Sequence, residues 1–159
     1  MVEVKFCGLT RPGDAAFAAS MGAAYAGVIF AGGPRERTPE QAAEIWNPLP
    51  SPVRRVGVFG RDVLTRLPQV QQLTRVDVVQ LHGDPGPEEL HAVRASFTGE
   101  VWAVARIDGA ALPASVSRLL AEADALVLDA KVPGQLGGTG VPFDWPGVAR
   151  ALSPLRGAK

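Results

Sequence analysis

The stretch Lys5–Thr10, with the sequence KFCGLT, carries the only cysteine of the chain at the end of a predicted strand. A glycine follows Cys7, which predicts a turn into the next helix. Ligands lie at the carboxyl ends of strands in parallel α/β proteins, so this thiol is a candidate catalytic group. A second strand, ALVLD, ends on Asp129 and precedes the glycine-rich residues 134–140. A thiol and a carboxylate at one end of a sheet predict an acid/base enzyme.

The composition of the chain argues against several classes of protein function. With 159 residues, 47% of them hydrophobic, residues 1–159 are predicted to form a single domain with a substantial core. The formal net charge is +0, which argues against nucleic acid or an anionic membrane as a partner and favours a small molecule. One cysteine excludes an internal disulfide, and no apolar run is long enough to span a membrane, so we expect a cytoplasmic protein.

Six short apolar runs rich in β-branched residues predict six strands, which begin about 21 to 30 residues apart, as βα units require. They are predicted at Val2–Cys7, Tyr25–Phe30, Arg55–Phe59, Val76–Leu81, Val101–Arg106 and Ala125–Asp129. Because strands joined through helices are parallel and buried on both faces, their nearly continuous apolar character fits this interpretation.

Helices are predicted in the intervening segments, at Ala15–Met21, Pro39–Trp46, Asp62–Leu73, Pro87–Phe97, Pro113–Ala123 and Pro146–Leu152. Thr38, Gly86 and Asp144 are predicted to cap helices. The spacing alone leaves a doubly wound sheet and a barrel open. Chain length favours the open sheet, because a closed eight-unit barrel usually takes about 200 residues or more.

Three separated motifs change that balance: VKFCGLT at residues 4–10, VQLHGD at 79–84, and LD at 128–129 followed by GGTGVPFDW at 137–145. Together they resemble the phosphoribosylanthranilate isomerase family, (β/α)8-barrel enzymes of tryptophan biosynthesis. Weaker matches lie at residues 33–42 and 55–59. The resemblance implies an α/β protein of the TIM-barrel family, here with about six parallel βα units.

The resemblance also implies the reaction. In an Amadori rearrangement, an acid protonates the ring oxygen of N-(5-phosphoribosyl)anthranilate, which opens the furanose to a Schiff base. A base then removes the C2 proton, and the resulting enolamine becomes the ketone. The substrate's own iminium accepts the electron pair, so the resemblance implies neither an organic cofactor nor a metal.

By resemblance, Cys7 is the general base and Asp129 the general acid. Arg35 matches the family arginine that pairs with the anthranilate carboxylate, for which a guanidinium fork is suited. Arg37 is the alternative if the loop register differs. His82 is expected either to contact substrate or to hydrogen-bond behind the site.

Further substrate-binding residues are expected at the end of the fifth strand and in the glycine loop: Arg106, Gly137, Gly138, Thr139 and Gly140. Strand alternation places Lys5 on the same face as Cys7, about 6.6 Å away. We hypothesise that its ammonium favours the thiolate, unless a carboxylate neutralises it.

Two other interpretations stay open. Barrels of this family continue with two more βα units, whose loops hold much of the substrate phosphate. The chain is therefore alternatively predicted to be a non-catalytic barrel fragment that binds phosphosugars weakly and self-associates as a homo-oligomer through exposed strand edges. A different phosphosugar barrel isomerase is less consistent with the sequence, because it would use paired aspartates in place of Cys7 and Asp129.

Overall fold

The computed structural model describes residues 2–132 and 141–155. Strands and helices alternate along the chain, and a 3-10 turn follows at Ser153–Leu155. The strands are β1 (Lys5–Cys7), β2 (Tyr25–Ile29), β3 (Arg54–Phe59), β4 (Val78–Leu81), β5 (Glu100–Ile107) and β6 (Ala125–Ala130). The helices are α1 (Pro12–Ser20), α2 (Pro39–Trp46), α3 (Val63–Leu73), α4 (Pro87–Ser96), α5 (Val116–Glu122) and α6 (Trp145–Leu152).

The strands form one sheet in the order β1-β2-β3-β4-β5-β6, and each pairs in parallel with the next. The connecting helices pack on one side of the sheet, where their buried residues form one cluster with those of the strands. A doubly wound sheet reverses its strand order and carries helices on both sides. The doubly wound sheet favoured by chain length is therefore wrong, and the prediction of about six parallel βα units of a TIM-type barrel is confirmed.

Most element positions match the sequence prediction, and the largest differences fall at the beginnings of elements. β1 begins at Lys5 instead of Val2, because its register with β2 starts at Lys5, which lies opposite Tyr25. Two helices also begin elsewhere than expected: α1 at Pro12 and α5 at Val116, where the sequence had predicted residues 15 and 113. Proline is favoured in the first turn of a helix, which explains the earlier start of α1.

Two helix starts are fixed by side chains. Thr38 accepts a hydrogen bond from the N–H of Gln41, and the Gln41 side chain accepts one from the N–H of Thr38, which completes a capping box for α2. Asp144 accepts from the N–H of Gly147 at 3.0 Å and caps α6. Both predicted side-chain caps are confirmed.

The sheet separates two apolar clusters. The larger one lies between the sheet and the helices and includes Phe30, Trp46 and Leu81. The smaller one lies on the inner face of the sheet, where Val56, Val78 and Trp102 pack together. Because side chains alternate across a strand, the same strands that fill this inner cluster carry other residues towards the carboxyl edge of the inner face. That edge holds the candidate site.

Within residues 2–132 and 141–155, none of the helices combines the length and the apolar character needed to cross a membrane.

Candidate active site

A cavity of about 730 Å³ lies on the inner face, near the carboxyl ends of the strands. All six strands or the turns that follow them contribute to its wall. It brings together four of the residues predicted from sequence: Cys7, Arg35, His82 and Asp129. The sulfur and the carboxylate come from the two outer strands of the sheet, so they face a common space from opposite sides.

Cys7 ends β1 and is exposed to this cavity. Its neighbour across the strand pair is Gly27 on β2. A Cβ atom at Gly27 would lie 3.3 Å from both the Cys7 sulfur and the Cys7 Cα. That separation is tighter than ordinary van der Waals contact, so the absence of a side chain at Gly27 gives the thiol its room.

Arg35 lies beside the end of β1. Its Nη1 donates to the carbonyl oxygen of Cys7 at 3.3 Å. The guanidinium packs against Gly8, where a Cβ would lie 2.5 Å from Nη1, and Gly8 has a φ of +75°. The positive φ favours glycine at position 8, and the missing side chain leaves the space that the guanidinium of Arg35 occupies.

The loop that carries Arg35 is tied to the helix layer. Glu36 pairs with Arg66 on α3 at 2.7 Å, and Arg66 also pairs with Asp62. Arg37 donates to the carbonyl oxygen of Glu36 and does not line the cavity. Of the two arginines considered from sequence, the structure directs Arg35 to the candidate site.

Asp129 and His82 approach each other across the cavity. The distance from His82 Nε2 to Asp129 Oδ2 is 4.0 Å, and Asp129 Oδ1 accepts the N–H of Ala130 at 2.9 Å. His82 follows β4 directly, and its own N–H donates to the carbonyl oxygen of Phe59 at 2.8 Å. The imidazole is thus held by the backbone next to the carboxylate.

The pKa of His82 lies below its ordinary value of 6.5, chiefly because burial disfavours the imidazolium. The positive charges of Arg106 and Lys5 lower it further, while Asp129 and Asp84 act in the opposite direction. The imidazole is therefore neutral at neutral pH and serves as a hydrogen-bonding group. It does not supply Asp129 with a cationic partner.

The remaining site residues predicted from sequence are not among the described residues that line this cavity. Arg106 is not among the cavity-lining residues, and its Nε lies 3.7 Å from Asp84 Oδ2. Its position in β5 is in register with Asp129, so it borders the site from the side. The glycine-loop residues Gly137, Gly138, Thr139 and Gly140 lie outside the described residues.

Sequence analysis missed the partner of Lys5. The Lys5 ammonium donates to Gln80 Oε1 at 2.8 Å, across the inner face from β1 to β4. Gln80 is only 5% exposed and is a buried polar residue in the middle of an apolar strand. A glutamine two residues before His82, in a strand otherwise built of Val and Leu, was the signal that could have found it.

The cavity also has an apolar wall that sequence analysis did not assign. It is formed by residues of four strands, β2, β3, β5 and β6: Ile29, Val58, Val104, Val127 and Leu128. Charged groups on one side and an apolar wall on the other suit a ligand that combines a planar ring with anionic groups.

A second cavity, of about 400 Å³, lies at the amino ends of the central strands. Its charged residues are already paired, Arg54 with Glu100 at 2.8 Å and Asp77 with Arg55 at 3.6 Å. Across residues 2–132 and 141–155, no cluster of three His, Cys, Asp or Glu side chains could hold a metal ion. The first cavity is therefore the candidate active site.

Comparison with known proteins gives concordant results. A family model described as N-(5'-phosphoribosyl)anthranilate (PRA) isomerase matches residues 4–155. The isomerase of this name from Rubrobacter xylanophilus is 43% identical over 146 residues, which cover 91% of this chain and 70% of the relative. The chain thus spans about 70% of the length of such relatives.

Solved structures agree with the sequence match. The phosphoribosyl anthranilate isomerase of Thermus thermophilus superimposes with a TM-score of 0.80 at 32% identity, covering 98% of this chain and 72% of that one. A second isomerase of this name, solved with reduced 1-(o-carboxyphenylamino)-1-deoxyribulose 5-phosphate, gives a TM-score of 0.70 at 29% identity. That match covers 82% of this chain and 66% of the solved one.

Proposed function

The chain belongs to the N-(5'-phosphoribosyl)anthranilate isomerase family of tryptophan biosynthesis, and from this premise we propose how its own residues carry out the reaction. The substrate is N-(5-phosphoribosyl)anthranilate and the product 1-(2-carboxyphenylamino)-1-deoxyribulose 5-phosphate. Cys7 acts as the general base and Asp129 as the general acid. The single observation that carries this assignment is that both residues line one cavity, although 122 positions separate them in the chain.

Asp129 acts in the first step, as the acid. It gives its proton to the ring oxygen of the ribose, the C1–O bond breaks, and the nitrogen lone pair forms the Schiff base. The neighbouring His82, whose Nε2 lies 4.0 Å from Asp129 Oδ2, has a pKa lowered chiefly by burial, so its neutral imidazole is not a competing acid.

Cys7 acts in the second step as a thiolate. It removes the C2 proton, the C2–H electrons form the enolamine, and the iminium nitrogen accepts the displaced pair. Ketonisation then moves a proton to C1 and leaves the ketone at C2. Each well-placed proton transfer of this kind contributes about 10² to 10⁴-fold to the rate.

Arg35 binds the carboxylate of the anthranilate moiety in this proposal. Its guanidinium lies beside the carbonyl of Cys7, so a carboxylate held there would bring the adjacent sugar carbons to the thiol. The apolar wall of Ile29, Val58 and Val104 is suited to the aromatic ring. His82 contacts the sugar as a neutral hydrogen-bonding group, and Arg106 and residues 137–140 are proposed to hold anionic parts of the substrate.

The proposal includes a cytoplasmic location and a single barrel domain over residues 1–159. It also includes self-association. Among the described residues, β1 pairs only with β2 and β6 pairs only with β5, so one edge of each strand lacks a ladder partner. Unpaired parallel edges favour association with further strands.

The test is to measure conversion of N-(5-phosphoribosyl)anthranilate by the 159-residue chain and by the variants Cys7→Ala and Asp129→Asn. We expect each substitution to lower kcat by about 10³-fold, within the range for loss of a general acid or base. His91→Asn is the control, because the His91 side chain is 70% exposed on α4 and is not among the cavity-lining residues.

Complementation of a tryptophan auxotroph that lacks this isomerase gives the same comparison in cells. Rescue that survives both substitutions would disprove the assigned roles. An inactive wild-type chain that sediments as an oligomer would instead support the non-catalytic fragment.

A further inference from the structure

We propose that Gln80 is a positioning residue that holds the Lys5 ammonium beneath the Cys7 thiol without neutralising it, so that Lys5 favours the thiolate. This inference rests on the proposed role of Cys7 as the general base. It assigns a purpose to the hydrogen bond that crosses the inner face of the sheet. It also explains why a neutral amide lies where a carboxylate would be the stronger partner for an ammonium group.

The Lys5 side chain ends close to the Cys7 sulfur. A Cβ atom at Gly27 would lie 3.3 Å from Cys7 Sγ and 3.3 Å from Lys5 Cε. The two side-chain atoms therefore lie at most about 6.6 Å apart, on either side of the space that Gly27 leaves open. The Lys5 ammonium is one bond beyond Cε, so it is close enough to act on the charge of the sulfur.

The Lys5 ammonium has a neutral, buried hydrogen-bond partner. Gln80 is 5% exposed and accepts from Lys5 Nζ at 2.8 Å. An amide oxygen satisfies the hydrogen bond and carries no net charge. A glutamate would pair with Lys5 and cancel its field at Cys7. Among the described residues, Lys5 forms no ion pair with a carboxylate.

Other charged or titratable groups lie around the thiol on several strands. Arg35 lies on one side, from the loop after β2, and Asp129 faces the cavity from β6. His82 on the β4 side is neutral at neutral pH because its pKa is lowered. Arg106 on β5 is paired with Asp84. Among these cations, Lys5 is the one held in place by a buried side chain, that of Gln80.

The test uses the fact that the chain has one cysteine, so alkylation by iodoacetamide reports Cys7 alone. The rate of alkylation is measured against pH for the wild type and for Lys5→Met, Gln80→Glu and Gln80→Met. We expect the midpoint to rise by about one pH unit in Lys5→Met and by a similar amount in Gln80→Glu. Gln80→Met keeps the volume, removes the acceptor, and is expected to give a smaller rise.

A double variant separates positioning from a direct effect. If Gln80 acts through Lys5, then Lys5→Met combined with Gln80→Met has the same midpoint as Lys5→Met alone. Gln72→Glu is the matched charge control, because Gln72 is exposed on α3 and should leave the midpoint unchanged. Thermal melts of each variant establish that the protein measured is folded.

Two results would overturn the inference. Either Lys5→Met leaves the alkylation midpoint in place, or the two substitutions add in the double variant. The readout needs no substrate, so it remains informative if Cys7→Ala proves active and the proposed function fails. Conversely, an unchanged midpoint together with an inactive Cys7→Ala would reject the positioning role and retain the general base.

Discussion

The two ends of the inner face of the sheet are built from the same strands and have opposite properties. At the amino end, Arg54 pairs with Glu100 at 2.8 Å, and Glu100 also accepts from Trp102 Nε1 at 2.9 Å. The Arg54 guanidinium lies over the Tyr25 ring, and the Tyr25 and Trp102 rings meet edge to face at 4.8 Å. Large rings and matched charges fill this end.

At the carboxyl end, the inner face is left open and its charges are only partly matched. Lys5 has a neutral partner, Cys7 is exposed, and Gly27 contributes no side chain. The pKa shifts reflect the same contrast: the hydrogen bond from Arg54 lowers the pKa of Glu100, whereas burial lowers that of His82. The amino end is therefore organised for stability, and the carboxyl end is where we propose the chemistry, as in barrel enzymes generally.

Trp102→Ala is expected to have the largest effect among the substitutions that distinguish the two ends, and that effect is on stability. Trp102 is 8% exposed in the inner cluster, so its truncation should lower the free energy of unfolding by about 3 to 5 kcal/mol. The folded fraction should keep its KM, because Trp102 does not line the cavity. Denaturant unfolding and steady-state kinetics measure the two quantities.

Trp145→Ala is the matched control for this experiment, since Trp145 is 59% exposed and should lose far less stability. A Trp102→Ala protein that keeps its stability but loses kcat would show that the two ends do not have separate roles.

A second substitution sharpens the comparison at the open end. Gly27→Ala would place a methyl group 3.3 Å from Cys7 Sγ and from Lys5 Cε, so one of them must move by a few tenths of an ångström. We expect kcat to fall by about tenfold, because small displacements of a catalytic group are costly, while stability changes by less than about 1 kcal/mol.

Gly13→Ala on α1 provides the control for Gly27→Ala, since its Cβ would meet no atom within 4 Å. It should leave kcat unchanged and is expected to raise stability slightly. Equal kcat values for Gly27→Ala and the wild type would mean that the open space beside Cys7 has no role.

The smallest expected effect is on how the free energy of unfolding depends on pH, through His82. The pKa of His82 is lowered on folding, so just below pH 6.5 the unfolded chain binds more protons at this residue than the folded one. The contribution of His82 to stability is therefore complete above about pH 6.5 and is lost as pH falls towards the lowered value. We expect the free energy of unfolding of His82→Asn to depend less on pH in this window than that of the wild type.

His91→Asn is the control for the pH experiment, since it removes the other histidine of the chain, whose side chain is 70% exposed. A change in pH dependence that appears in His82→Asn and not in this variant belongs to His82. If His82→Asn and the wild type show parallel curves between about pH 7 and pH 5, burial of the imidazole does not affect stability.

The sequence predicted the repeat of six βα units because buried strands, capped helices and their spacing are local features. Pro39–Trp46 matches the structure at both ends, and the Thr38 capping box accounts for its start. The beginnings of β1 and α1 were less well predicted, because they depend on pairing with β2 and on the conformation around Pro12. Length alone favoured the wrong architecture, since it carries no information about strand order.

The sequence by itself determined which residues could do chemistry, because a lone thiol and a carboxylate at strand ends are visible as a pattern along the chain. Only the tertiary structure decided that Cys7 and Asp129 share a cavity and that Arg35, not Arg37, faces it. The same holds for the hydrogen bond from Lys5 to Gln80, which joins residues 75 positions apart. Such pairings depend on strand order and register, which bring distant positions together and which local sequence does not specify.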